Sequence, residues 1–360
     1  MATVLESLNA SLHHAMESDP SVVLLGEDIL DPYGGAFKVT KGLSSEFPNR
    51  VISTPVSEAG ITGLAAGMAL RGLKPVVEIM FGDFVTLIAD QLINHITKFP
   101  FMYDHQVHVP IVIRTPMGGR RGYGPTHSQS LEKLFIGVPG LRALAPCSFF
   151  DPGSMLSHAI LHDNDPVIFI ENKLLYLSEV HNLKSLQDYS MILHNDHFHA
   201  DGTNFRYPHI DTGISDTLDS TGIYTPSLTI SIKDAPEAQI TIATYGYCSD
   251  LAFKAQEMLA YQHEIFSELI VITQLSPVNI DPVLDSASRT GRLLVIEEGT
   301  LTLSWGAEVL ARSLETLGNR LLIARRLASK DLPIPASPPL EASVVPNIED
   351  IIESVNEMLL

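Results

Sequence analysis

Residues 51–70 read VISTPVSEAGITGLAAGMAL and decide how this chain is understood. A short β-branched strand stops at Pro55. A helix begins around Val56–Ser57 and carries Glu58 in its first turn. Gly60, Gly63 and Gly67 follow inside that helix, and each costs about 1 kcal/mol relative to alanine. Gly63 and Gly67 are four apart and share a face. A helix that accepts this cost lets another backbone or a ligand come close. Two readings of Glu58 stand at this point. It is either a carboxylate placed for chemistry at the mouth of the helix, or a plain first-turn acid favoured by the helix dipole.

Outward from this stretch, apolar runs alternate with helical patterns, as in α/β folds built on parallel sheets. A helix is expected over 3–17, and strands at Val22–Leu25, Val76–Met80, Ile111–Arg114, Leu141–Ala145 and Val167–Glu171. Helices are expected over Phe84–Thr97 and Pro152–Leu161. Together these make one doubly wound unit spanning 1–183. Residues 184–237 are rich in His, Asp, Ser, Thr and Pro, with weak periodicity, and read as a linker, an insertion or a functional flap. Alternation resumes over 238–360. Strands are expected there at Ile240–Thr244, Leu269–Thr273, Leu293–Glu297 and Leu321–Arg325, with helices near 249–261, 281–289, 305–317 and 347–359.

The chain has 360 residues, enough for two domains, and 45% are hydrophobic. Lys and Arg number 23 against 42 Asp and Glu, a net charge of -19. That balance argues against nucleic acid as a partner and against an anionic membrane surface. No apolar run approaches the roughly 20 residues a membrane span needs. The amphipathic N-terminus does not resemble a signal peptide. Cys147 and Cys248 lie far apart and form no metal-ligand pattern, so a cytoplasmic setting is expected.

The stretch RTPMGGRRGYGPTHSQS (114–130) follows a strand. Its glycines and arginines fit an anion-binding loop, or a mobile loop, but match no nucleotide fingerprint. His127 lies within it, before the expected helix SLEKLF, and is a candidate for proton transfer near neutral pH. A structural loop histidine is the competing reading. His194, His197 and His199 fall in the irregular segment and read as surface residues. Ser57 and Ser128 lack the context of an activated nucleophile.

GED (26–28), GGAFKVTKGL (34–43), RVISTPVSEAGITGLAAGMALRGLKPVVEIMFGDF (50–84), THSQSLEKLF (126–135), PGLRALAP (139–146) and DNDPVIFIENKLLY (163–176) resemble one family. It is that of the beta subunits of thiamine-diphosphate-dependent 2-oxo acid dehydrogenase decarboxylating components. TGRLLVIEEG (290–299) resembles the C-terminal domain of transketolase-like proteins. The resemblance implies a pyrimidine-binding parallel-sheet domain followed by a transketolase C-terminal-like α/β domain. It also implies decarboxylation of a 2-oxo acid, leaving a cofactor-bound acyl carbanion, or enamine, for transfer to lipoamide. A carboligase that passes the acyl group to another acceptor is the alternative, and a non-catalytic scaffold subunit is a third reading.

The resemblance further implies roles for particular residues. Glu58 matches the glutamate that bonds the cofactor pyrimidine and supports its imino tautomer. Its place at a helix start favours the anion, while burial favours the neutral acid. Phe84 matches the aromatic that stacks on the aminopyrimidine, and Val56 and Met80 match other lining positions. Met80 stands where some relatives have glutamine. His127 matches the histidine that faces the reacting centre. Leu161, Asp163 and Asp165 resemble a monovalent-cation site, for potassium. The Gly-Asp-Gly motif that holds the diphosphate through magnesium is missing. The resemblance therefore implies an alpha subunit that carries it, in an α2β2 assembly inactive without that partner. A lipoyl acyltransferase core is a further implied partner.

Overall fold

Val22–Gly26 (β1) is a run of five buried residues, as a parallel strand covered on both faces requires. The computed structural model describes residues 2–181, 186–194, 196–198, 204–206 and 225–360. In it β1 pairs in parallel with Val51–Ser53 (β2) and Lys74–Glu78 (β3). Val112–Met117 (β4), Arg142–Leu144 (β5) and Val167–Asn172 (β6) extend the sheet, all parallel, in the order β5-β6-β4-β3-β1-β2.

A second sheet begins inside the segment expected to be a linker. Tyr189–His194 (β7) pairs antiparallel with Ser227–Ile232 (β10), and β10 pairs antiparallel with Ser267–Val271 (β12). Asp196–Phe198 (β8) and Asn204–Arg206 (β9) form a separate two-stranded ladder. Ile240–Thr244 (β11), Arg292–Thr300 (β14) and Ile323–Ser329 (β15) complete the sheet in parallel with β12, in the order β15-β14-β11-β12-β10-β7. Two parts of 184–237 thus belong to the second sheet. His194 lies in β7, with its Nε2 2.8 Å from the Thr229 hydroxyl. His197 lies in β8, and His199 falls outside the described residues.

The two sheets are not separable bodies. Gln274–Ser276 (β13) leaves the second unit and pairs antiparallel with β5, at the edge of the first sheet. Ile113 of β4 and Ile270 of β12 belong to one buried core, and Leu24 of β1 and Ile242 of β11 to another.

Helices cover the sheets. Val4–Ser18 (α1) starts on a capping box, with Thr3 accepting from the Glu6 N–H and Glu6 reaching back to the Thr3 N–H, which satisfies two otherwise orphaned donors. Leu43–Glu46 (α2), Glu58–Leu70 (α3), Phe99–Met102 (α4), Gly124–His127 (α5) and Pro152–Leu161 (α6) follow in the first unit. Cys248–His263 (α7), Asp281–Thr290 (α8), Trp305–Leu317 (α9), Pro338–Ala342 (α10) and Ile348–Leu359 (α11) belong to the second.

The helix expected over Phe84–Thr97 is not an α-helix. It is a 3₁₀ turn over Gly82–Ile88 followed, after two residues, by a π-turn over Gln91–Ile96. Such windings recur at functional sites. Strand β3 ends at Glu78, so Met80 lies in the loop beyond it. SLEKLF holds only a short 3₁₀ turn at Glu132–Leu134.

Candidate active site

Parallel α/β sheets place ligands beyond the carboxyl ends of their strands. Those ends carry the residues expected around the pyrimidine, with Glu27 and Lys173 beside them. Glu27 follows β1, and Glu58 opens α3 just after β2. Met80 and Phe84 follow β3, His127 follows β4, and Lys173 follows β6.

Glu58 is the first residue of α3 and is only 6% exposed. Among the described residues its carboxylate takes no hydrogen bond from this chain. Glu27 lies near enough to feel its charge, and Glu27 Oε1 is buried with no hydrogen-bond partner among the described residues. Burial raises the Glu27 carboxyl above its ordinary range, and the neighbouring Glu58 charge pushes it the same way. Two buried carboxylates that repel one another favour a proton donor brought in from outside. Such a pair fits an aminopyrimidine, which offers a ring nitrogen able to carry the proton. Val56, two residues before Glu58, is 80% exposed.

On α3 the face carrying Gly63 and Gly67 is open. A methyl group at Gly67 would meet nothing within 4 Å, and one at Gly63 would meet only Gln91 Cγ, at 4.0 Å. Among the described residues, no backbone outside α3 lies within 4 Å of a Cβ at either position.

The 3₁₀ turn after β3 brings an aromatic cluster onto His127. The Phe81 ring stacks on the imidazole at 4.3 Å, and Phe84 meets it edge-on at 5.7 Å. Nδ1 of His127 lies 2.8 Å from Asp83 Oδ1. A carboxylate at one ring nitrogen sets the tautomer and leaves the other nitrogen for a reacting group. His127 is the last residue of α5, and its carbonyl accepts from the ammonium of Lys173. Lys173 is fully buried beneath Phe81 and Tyr123. Burial lowers its amine to about 8, against the opposing pull of Glu298 and Asp83.

Asp83, Phe81, Lys173 and Glu27 were not singled out from sequence. For Lys173 a signal existed, a lone cation directly after an apolar strand. For Asp83 the meaning rests on a residue 44 positions away.

Beneath the site, Arg114 of β4 forms a two-pronged ion pair with Glu171 and reaches Glu78 at 2.9 Å, while Tyr176 donates to Glu171. All four are buried. A buried charge network of this kind is stable only when every group is paired.

The residues expected to hold a monovalent cation are engaged otherwise. The Leu161 carbonyl accepts from Lys74 Nζ at 2.5 Å, and that lysine also pairs with Asp19. Asp163 forms a buried ion pair with Arg142, whose charge Asp165 also supports. No group of three or more His, Cys, Asp or Glu able to hold a metal is present among the described residues.

The glycine-rich loop expected to be mobile is pinned. Gly118 has a left-handed φ of 98°, and a Cβ there would lie 2.5 Å from Asn172 and 2.8 Å from Glu298. Only glycine permits that approach. Backbone N–H groups of Gly119, Arg120 and Gly122 donate to Glu298 and Glu341.

These features define a thiamine-type pyrimidine-binding unit joined to a second α/β unit. Residues 1–178 match the transketolase pyrimidine-binding domain, and residues 231–351 match the transketolase C-terminal domain. A split-gene transketolase described as an inactive beta4 tetramer shares the fold, with a TM-score of 0.68 at 17% identity over 99% of this chain and 98% of its own. Pyruvate dehydrogenase E1 component subunit beta-1 of Arabidopsis thaliana is 35% identical over 98% of this chain and 88% of its own length. The Oryza sativa counterpart is 34% identical over 98% and 85%. The beta subunit of acetoin:2,6-dichlorophenolindophenol oxidoreductase from Cupriavidus necator is 30% identical over 96% and 94%. This chain belongs to the family of beta subunits of the E1 components of 2-oxo acid dehydrogenases.

Proposed function

We propose that this chain is the beta subunit of a thiamine-diphosphate-dependent enzyme that decarboxylates a 2-oxo acid and passes the acyl group to lipoamide. The observation that carries this reading is Glu58, a buried carboxylate at a helix start that takes no hydrogen bond among the described residues, with a second buried carboxylate, Glu27, near enough to feel its charge. Thiamine diphosphate, when bound, supplies the carbon nucleophile and the electron sink for loss of carbon dioxide.

The chain's own residues do the rest. Glu58 holds the pyrimidine ring nitrogen and exchanges a proton there. Phe84 and Met80 form the wall against which that ring is held, and Val56 closes the open side. Asp83 orients the His127 imidazole, and His127 moves the proton needed when the acyl group leaves for its acceptor.

Magnesium and the diphosphate fall to an alpha subunit, in an α2β2 assembly. The open Gly63 and Gly67 face and the exposed Val56 support a partner surface beside the site. An acyltransferase core is the proposed acceptor carrier. A potassium site at Leu161, Asp163 and Asp165 would require Lys74 to leave the Leu161 carbonyl. The proposed domain division is 1–183 and 238–360, with β7 and β10 lending the intervening segment to the second domain. Both cysteines are free and buried, which supports a reducing, cytoplasmic setting. No helix of the described residues is long and apolar enough to cross a membrane.

The test is co-expression with the candidate alpha subunit, then a screen of 2-oxo acids and acetoin with an artificial electron acceptor. Turnover by the pair and none by this chain alone is expected. Full turnover by this chain alone contradicts the divided site.

A further inference from the structure

We propose that Glu298 and Glu341, both in the C-terminal domain, are positioning residues for His127. They clamp the glycine-rich loop that carries it. The inference rests on the reading of His127 as the group that moves a proton in acyl transfer.

The loop does bind anions, but they come from the same chain. Arg120 has a left-handed φ of 65°, which turns successive N–H groups toward one side, as in an anion-binding nest. Into that nest α10 places Glu341, 2% exposed. Its Oε1 accepts from the Arg120 N–H at 2.8 Å and its Oε2 from the Gly122 N–H at 3.0 Å. From β14, Glu298 Oε1 accepts the Gly119 N–H at 2.7 Å and the Ser130 hydroxyl at 3.3 Å. Its other oxygen pairs with the Arg120 guanidinium, which also donates to the Pro346 carbonyl and faces the Tyr247 ring at 5.4 Å.

Two carboxylates of one domain thus hold three backbone N–H groups of the loop in the other, those of Gly119, Arg120 and Gly122. Two residues after Gly122 the chain enters α5, and α5 ends at His127. On the opposite side, Asp83 and Lys173 hold the imidazole and the carbonyl of that residue. His127 is fixed from both domains, so its position depends on their docking. Hydrogen bonds to a charged acceptor are the stronger kind, and a catalytic group displaced by an ångström loses much of its effect.

The test uses the assembled alpha–beta enzyme with Glu341→Gln, His127→Ala and the double variant. The amide keeps the size of the carboxylate but offers one acceptor oxygen in place of two, so folding is preserved. Single-turnover kinetics then separate decarboxylation from acyl transfer. In Glu341→Gln, acyl transfer is expected to fall about tenfold or more, with decarboxylation within about twofold of the wild type. The double variant is expected to match His127→Ala, because residues acting through one group are not additive.

Losses that multiply in the double variant overturn the proposal, as do equal losses in both steps. A silent Glu341→Gln beside a damaged His127→Ala also overturns it. If His127→Ala itself is silent, the reading of His127 fails, and limited trypsin digestion still tests the clamp. Cleavage after Arg120 or Arg121 in Glu341→Gln, but not in the wild type, supports the clamp. Equal resistance overturns it.

Discussion

Gly82→Ala is a one-methyl probe of the site. Gly82 begins the 3₁₀ turn that carries Asp83 and Phe84. A Cβ there would lie 2.4 Å from Met117 Cγ, 3.2 Å from Met117 Cβ and 3.1 Å from the Pro116 carbonyl oxygen. Ordinary contact begins near 3.4 Å. The Met117 side chain must therefore retreat by about an ångström, and the turn must lift away from β4. Met117 is buried at 2% exposure, with little room behind it. Overpacking of this kind costs about 1–3 kcal/mol. The turn carries Asp83 with it, and the 2.8 Å contact to His127 lengthens. Hydrogen bonds weaken beyond about 3.2 Å, and misplacement by about 1 Å costs on the order of 10²-fold in rate. In the assembled variant we expect a lower thermal midpoint, weaker cofactor binding through Phe84, and acyl transfer reduced about 10-fold to 10²-fold. Calorimetric titration of the cofactor and single-turnover kinetics measure both. Normal cofactor affinity together with normal transfer would refute the packing argument.

Two further outcomes follow from the structure. Gly67→Ala meets nothing within 4 Å among the described residues and removes a helix penalty of about 1 kcal/mol, yet it is expected to weaken assembly with the alpha subunit. Unchanged association in analytical ultracentrifugation would remove α3 from the interface. Glu297 is 1% exposed, and burial raises its carboxyl to about 7. Between pH 4.5 and 7 the folded state then holds the proton that the unfolded state has lost, so stability falls as pH rises through that window. The shift corresponds to about 3 kcal/mol. Glu297→Gln is expected to remove that slope, read from urea midpoints at pH 5 and 8 on the assembled protein. A slope identical to the wild type would show that another group carries it.

Helices with strong local signals were legible to the residue. Pro152–Leu161 has Asp151 capping the Gly153 and Ser154 N–H groups and proline at its first position, and 305–317 has a clear amphipathic period. The turn after β3 was not legible, because apolar periodicity does not distinguish an α-helix from 3₁₀ and π windings. Strands β7 and β10 were hidden for another reason. Their partners are antiparallel neighbours far along the chain, and YSMILH, at the sheet edge, stays only half buried. Glu58, Phe84 and His127 were found through motifs that match a known family. What held His127 in place was not. Asp83, Glu298 and Glu341 act through contacts 44, 179 and 221 residues distant in sequence from their partners, and no local pattern encodes such pairs. The glycines and arginines at 118–124 did announce an anion-binding loop. The anions were the chain's own carboxylates.

The proposed chemistry depends on Glu58 exchanging a proton with the cofactor pyrimidine. Its most direct test is the rate at which the thiazolium ring proton of bound thiamine diphosphate exchanges with deuterium, measured by quenched-flow NMR on the assembled enzyme. Loss of a positioned acid–base group typically costs about 10²–10⁴-fold. Glu58→Gln is expected to slow exchange by that amount while the cofactor stays bound, because the amide does not exchange a proton with the ring as a carboxyl group does. Near-normal exchange in a cofactor-loaded, assembled Glu58→Gln enzyme would contradict the claim.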